Sequence, residues 1–314
     1  MYGRLSLGQN LVKILEKQGK GEYFMSFEII TDSAANLNKE NIEKGNVKVI
    51  DLPFFINGEK SSLTNLDEFN DEEFYSALKN GQSIKTSQIN PQSYVEFMRP
   101  ILEEGKDILF IGLSSGVSGS FNSALIAKEE LQEEFPQRQI EMVDSLGAAL
   151  GIGLLVLRAV KCRKNEMTLS ETAERVISIR DKMQQIFIVD DLMYLKRTGR
   201  LSNLAAAVGF VLGIKPILRG SREGKIEVFE KIRGRKQAIK SLADKYISLA
   251  KEHINQTIGI THTGCAEDAK YLAKLISDKV NVKEILILKH EPATGSHLGP
   301  GALALFFEGD TVRA

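Results

Sequence analysis

Hydroxyl, carboxyl and imidazole side chains gather in five short stretches of this chain. They are Thr31-Asp32-Ser33, Thr86-Ser87-Gln88, Ser114-Ser115-Gly116-Val117-Ser118-Gly119-Ser120, Asp144-Ser145 and Ser296-His297. Neutral donors of this kind can hold an anion by hydrogen bonds, and a serine beside a base and an acid can attack a carbonyl. For any one stretch the plainer reading is helix capping, because Ser, Thr and Asp are preferred N-caps. The serine run points toward anion binding. It follows DILFIGL, an apolar run without helical period, and precedes FNSALIAKEELQEE, whose apolar residues fall at helical spacing. A strand, a small-residue turn and a helix bring hydroxyls and backbone N–H groups to the carboxyl edge of a sheet, where open α/β sheets bind ligands. A helix N-terminus also favours negative charge. The rival chemistry is hydrolytic. Gly112-Leu113-Ser114-Ser115-Gly116 fits G-x-S-x-G, and Asp190 and His297 would complete the order Ser, Asp, His. Against it, VSGS separates Ser114 from the helix, and no HGGG-type oxyanion stretch precedes it.

The elements that must position these groups alternate. FEIITDS reads as a strand, LNKENIEKG as a short helix, and VKVIDLPFFING as an extended stretch with an Asn57-Gly58 turn. A helix over 67–78, the loop SIKTSQINP and a helix from Pro91 lead to the central strand, and QIEMVDS leads to an apolar helix from Leu146. This rhythm implies a parallel, doubly wound sheet. After Lys161 it changes: KPILRG and KIEVFEKI, joined by the Ser221–Gly224 turn, imply a mixed or antiparallel sheet. The expected fold is therefore α/β in two domains, 25–165 and 166–314. Residues 1–24 read as an N-terminal extension, with translation expected to start at Met25. His253 and His290 read as solvated, and His297 as part of a glycine-rich turn.

Bulk properties remove several function classes. Lys+Arg and Asp+Glu each count 41 of 314 residues, and this zero net charge gives no reason to expect nucleic acid or an anionic membrane. The longest uncharged apolar stretch, Leu146 to Leu157, falls short of the roughly 18 to 20 residues of a membrane span. Cys162 and Cys265 lie far apart, as in a reduced cytoplasmic protein. The histidines at 253, 262, 290 and 297 form no metal-binding pattern, so neither metal nor cofactor is expected.

Seven motifs taken together resemble the DegV family of bacterial fatty-acid-binding proteins, which includes the FakB-type subunits of fatty acid kinase. They are TDSAANL, TSQINP, LSSGVSGSFNSA, VDSLGAALG, VDDLMYLKRTGRLS, GIKPIL and HLGPGALALFF, in the family's order from about Phe27 onward. The resemblance implies one long-chain fatty acid with its acyl chain buried and the lipid site between the two domains. It places the carboxylate on Thr86, on Ser115 (or its neighbour Ser114) and on His297, with Ser87, Ser118 and Thr31 as further donors. It implies no catalytic residue in this chain. A separate ATP-dependent kinase subunit would dock at Arg200 and Arg233 and phosphorylate the carboxylate to an acyl phosphate for phospholipid synthesis. A third position that the family commonly makes basic is Gln237 here. Leu146–Val160, Leu204–Ile214 with Phe210, and Leu303–Phe307 are expected to wall the acyl tunnel. The alternatives are a lipid carrier or sensor without a kinase, and a serine hydrolase using Ser114.

Overall fold

The structure, a computed structural model, describes residues 27–63, 66–201 and 213–313. The extension over 1–24 and most of the wall expected over 204–214 lie outside these residues. In chain order the first part comprises β1 (Phe27–Asp32), α1 (Lys39–Gly45), β2 (Val47–Ile50), β3 (Phe54–Ile56), β4 (Glu59–Ser61), α2 (Asp71–Lys79) and β5 (Ile84–Thr86). It continues with α3 (Pro91–Glu103), β6 (Asp107–Gly112), α4 (Ser120–Glu134), β7 (Ile140–Asp144), α5 (Leu150–Lys164) and α6 (Leu169–Arg180). The second part comprises β8 (Met183–Ile188), α7 (Met193–Arg197), β9 (Ile214–Gly220), β10 (Ile226–Arg233) and α8 (Arg235–Leu249). It ends with β11 (Thr257–His262), α9 (Ala266–Ser277), β12 (Glu284–Lys289), α10 (Pro292–Leu298) and β13 (Leu303–Glu308).

Strands β2-β1-β6-β7 form the expected parallel sheet. Six strands in the order β10-β9-β8-β13-β11-β12 form a mixed sheet, parallel only between β11 and β12. A third, small antiparallel sheet, β4-β3-β5, turns at Asn57 and Gly58, whose φ angles of 51° and 94° suit that pair. It ends in Thr86, which pairs with Phe54.

Helix α5 joins the two large sheets. It packs on β1 and β6 on one side and on β8, β11 and β13 on the other, so its first eight residues, Leu150 to Leu157, are apolar all round. Gly153 permits that approach, since a Cβ there would fall 2.6 Å from Ala35 O. Strand β13 shows the layering. Leu303, Leu305 and Phe307 enter the core beneath α8 and α9, while Ala304 and Phe306 face the core containing α5. A strand buried on both faces reads as one continuous apolar run. The helix expected from Leu146 starts instead at Leu150. Residues 146–149 form a turn with positive φ at Leu146 (49°) and Ala149 (51°), a conformation L residues rarely adopt.

Candidate ligand site

An apolar cavity of about 170 Å³ lies between the two large sheets, capped by the small one. Leu52, Leu113, Phe187, Leu298 and Phe306 supply its walls, and Thr86, Ser118, Arg200 and His297 supply its polar end. Thr86 arrives on the last residue of β5. His297 arrives on α10, a helix where the glycines had suggested a turn. Its start is well made: Glu291 accepts the N–H groups of Ala293 and Thr294, each at 2.6 Å, and Pro292 needs no acceptor. Tyr75 steadies this entry from α2 by donating its hydroxyl to His290 O at 2.9 Å.

Thr86 Oγ1 and His297 Nε2 are 2.8 Å apart. Burial, then the charge of Arg200, pulls the His297 pKa down to about 4, so the ring is neutral near pH 7. The pair then holds two mobile protons, one O–H and one N–H, and only one is spent between them. If Thr86 donates to Nε2, the remaining N–H sits on Nδ1, which is buried and unpartnered. If Nε2–H donates to Thr86, the hydroxyl proton is left. Either way one donor of the pair is unspent.

The structure brings Thr86, Ser87, Ser118 and His297 to one cavity, and Arg200 with them. Arg200, expected at a docking surface, is half-buried beside His297 with its guanidinium on Val117 O (3.4 Å) and Thr198 O. Arg233 is exposed at the end of β10. Ser115 is not among the cavity residues. It is exposed, and its backbone N–H lies 3.3 Å from both oxygens of Asp144. Thr31 is also elsewhere, with its hydroxyl donated to Ile111 O at 2.7 Å. Its neighbours act alike: Asp32 Oδ2 accepts Leu113 N–H (2.7 Å) and Ser33 Oγ accepts Leu52 N–H (2.9 Å). The Thr31-Asp32-Ser33 stretch therefore pins the loops that carry Leu113 and Leu52 to the cavity. It does not present donors to it.

The hydrolytic constellation does not assemble. Ser114 is buried, donates its hydroxyl to Gly224 O (2.8 Å) and accepts Gly116 N–H (3.1 Å). Asp190 pairs with Lys215 and Arg235, and His297 is bonded to Thr86. A nucleophile needs its base within hydrogen-bond reach, and here each member is committed elsewhere.

Sequence reasoning missed several buried polar groups around this cavity. His290, expected in solvent, is buried between Thr261 and Thr294 (2.9 Å each), and burial lowers its pKa to about 3. Burial raises Glu291 to about 6 and Asp32 to about 7, the latter also through the charge of Glu291. Gln185 of β8 lines the cavity and is likewise buried. Alternation along QQIFIV was the signal for Gln185, since it shares a face with Phe187. Among the described residues no cluster of His, Cys, Asp or Glu could hold a metal ion, and no helix is long and apolar enough to cross a membrane.

Comparison with known proteins agrees with this architecture. A DegV domain-containing protein of Clostridium perfringens is 40% identical over 91% of this chain and 98% of its own length. The structure of a DegV family protein from Thermus thermophilus, described as fatty acid binding, superposes with a TM-score of 0.81 at 26% identity, covering 90% of this chain and all of that one. A fatty acid binding DegV family protein from Streptococcus agalactiae does so with a TM-score of 0.76 at 29% identity, over 90% and 98% of the two chains. The profile of the DegV family spans residues 26–310, and the chain belongs to that family.

Proposed function

We propose that this protein binds one long-chain fatty acid, its acyl chain in the apolar cavity and its carboxylate on Thr86 and His297, and presents it to a separate ATP-dependent kinase subunit. The observation that carries the reading is the Thr86–His297 pair, which retains one unspent donor at the polar end of an otherwise apolar cavity. The relatives from Thermus and Streptococcus, both described as fatty acid binding, support the same ligand class. Ser118 and Ser87 line the cavity and serve as supplementary donors; Ser115 and Thr31 have no place in it.

The energetics divide the labour. Each buried methylene contributes about 0.8 kcal/mol, whereas a hydrogen bond to a charged group contributes about 1.5–3 kcal/mol. The tail therefore supplies most of the affinity and the donor pair fixes the register. Neutral donors leave the carboxylate more nucleophilic than a bidentate arginine would, as suits a group awaiting phosphorylation. In this reading the chain supplies no catalytic group, and exposed Arg233 contacts the kinase. Arg200, committed beside the cavity, orders the mouth that the kinase must reach.

Mass spectrometry of lipid extracted from the purified protein, beside Thr86→Ala and His297→Ala, tests the binding. About one fatty acid per chain is expected, with affinity about tenfold or more weaker in each variant. Absence of lipid together with no uptake of added fatty acid, or equal loading in all three proteins, would overturn it. Adding a bacterial fatty acid kinase subunit and ATP to the loaded protein then tests presentation. Acyl phosphate, formed more slowly with Arg233→Ala, is expected; a loaded protein that yields none is a carrier.

A further inference from the structure

The direction of the cavity can be read from the strands beneath it. Helix α10, with His297, leads through Gly299–Ala302 into β13, whose first residue Leu303 stands opposite Ile188. Three residues further on, Phe306 stands opposite Gln185. At about 3.3 Å per residue, Gln185 and Phe306 lie about 10 Å along the sheet from the edge beneath α10. Both line the cavity, together with Gly147, Ala148, Ala149 and Gly220.

Gln185 holds that end together. Its Oε1 accepts Ala148 N–H at 3.1 Å and its Nε2 donates to Leu146 O at 3.3 Å. A Cβ on Gly147 would fall 2.5 Å from Nε2 and one on Gly151 2.6 Å from Oε1, so the carboxamide is wedged against both glycines. The turn it grips contains the two positive-φ residues Leu146 and Ala149, and such conformations persist only where the surroundings fix them. Arg313 acts from behind. It is buried, does not line the cavity, and donates Nη2 to the same Leu146 O at 2.7 Å and Nη1 to Met183 O at 3.4 Å.

We propose that Gln185, backed by Arg313, forms the blind end of the acyl cavity: the two side chains hold the Leu146–Ala149 turn across it and so limit the length of fatty acid that fits. This rests on the fatty-acid reading above. Gln185 is then a specificity-determining residue that meets the methyl end of the chain. Arg313 is a positioning residue that acts through Leu146 O.

The test is competition between palmitate and icosanoate for the delipidated full-length protein, with melting temperatures measured in parallel. Gln185→Ala should raise the preference for icosanoate over palmitate about tenfold, the scale on which hydrophobic pockets sense a missing or added methylene. Arg313→Ala should move the ratio the same way without touching ligand, and Arg313→Lys, which keeps a donor, should restore part of it. Gln185→Asn, which keeps the amide, should give a smaller shift in the same direction and serves if the alanine variant does not fold. A role in stability alone would weaken both acids equally, and an unchanged ratio across the variants overturns the proposal while leaving fatty-acid binding intact. A wild-type protein that takes up neither acid removes both readings.

Discussion

Two polar clusters at strand ends, Thr31-Asp32-Ser33 at the end of β1 and Thr86 at the end of β5 with its partner His297, look interchangeable in composition but do different work. In the first, each side chain bonds a backbone group, Ile111 O, Leu113 N–H and Leu52 N–H, although Asp32 keeps its other oxygen, Oδ1, buried and unpartnered. In the second, the side chains bond each other and one proton is left over. The difference follows from the neighbours. Strand β1 is internal to a parallel sheet, where loops leaving adjacent strands expose backbone groups that must be satisfied when buried. Strand β5 is the edge of a small antiparallel sheet, and its loop can leave a hydroxyl unclaimed.

The sharpest way to strain this comparison is Asp32→Asn. Asparagine can still accept Leu113 N–H but carries no proton to exchange. Burial raises Asp32 from 3.8 to about 7, so its contribution to stability is complete below the lower value and lost as pH rises through the higher one. Glu291, raised to about 6, has the same sign. His297 and His290, lowered to about 4 and about 3, have the opposite sign: their contribution is complete above pH 6.5 and lost on acidification. In the wild type the two sets offset each other through mildly acidic pH. The variant should therefore be at least as stable near neutrality and lose stability more steeply as pH falls. The gap is on the order of 4 kcal/mol, read from urea unfolding at several pH values. Parallel pH profiles for the two proteins would contradict this account of Asp32.

A smaller effect is expected from Thr31→Val and Ser33→Ala. Each strands a buried backbone partner, Ile111 O or Leu52 N–H, at a cost of about 1–3 kcal/mol. Melting temperature should fall while fatty-acid loading per folded chain is kept. His297→Ala, which removes the bond to Thr86 together with the unpartnered Nδ1, should differ by emptying the site per folded chain. Loss of ligand without loss of stability in Thr31→Val would return that residue to the binding site.

Much of this was legible in the chain. The alternation of apolar runs and helical periods gave both large sheets, and Asn57-Gly58 gave the hairpin. Thr86 and His297 were named through the resemblance of TSQINP and HLGPGALALFF to the DegV family, and the fold places the two side chains 2.8 Å apart. Most of what escaped detection depended on long-range partners. In HEPATGSHLG the Glu291 cap and Pro292 were local signs of a short helix that the glycines outweighed, and the brace from Tyr75 is the distant contribution. His290 looked exposed beside Lys289 and Glu291, yet Thr261 and Thr294 enclose it. The turn at 146–149 is invisible to hydrophobic periodicity, which continues through it, because its shape is imposed by Gln185 and Arg313, about 40 and 170 residues away by simple numbering.

Ser115 supplies the smallest expected effect and the finest distinction. It sits in the same turn as Ser118, yet Ser118 lines the cavity and shares a 3.0 Å hydrogen bond with Ser120, whereas Ser115 faces solvent. Only its backbone N–H is engaged, by Asp144, and alanine preserves that bond. Ser115→Ala should therefore change stability by less than about 0.5 kcal/mol and leave fatty-acid loading at the wild-type level, as surface substitutions usually do. Ser118→Ala, measured alongside, removes a cavity hydroxyl and should weaken loading. If Ser115→Ala were to empty the site while Ser118→Ala did not, the serine turn would have to rotate when ligand enters. Its hydroxyls would then be claimed by ligand after folding, and the division between consumed and available donors would hold only for the unliganded protein.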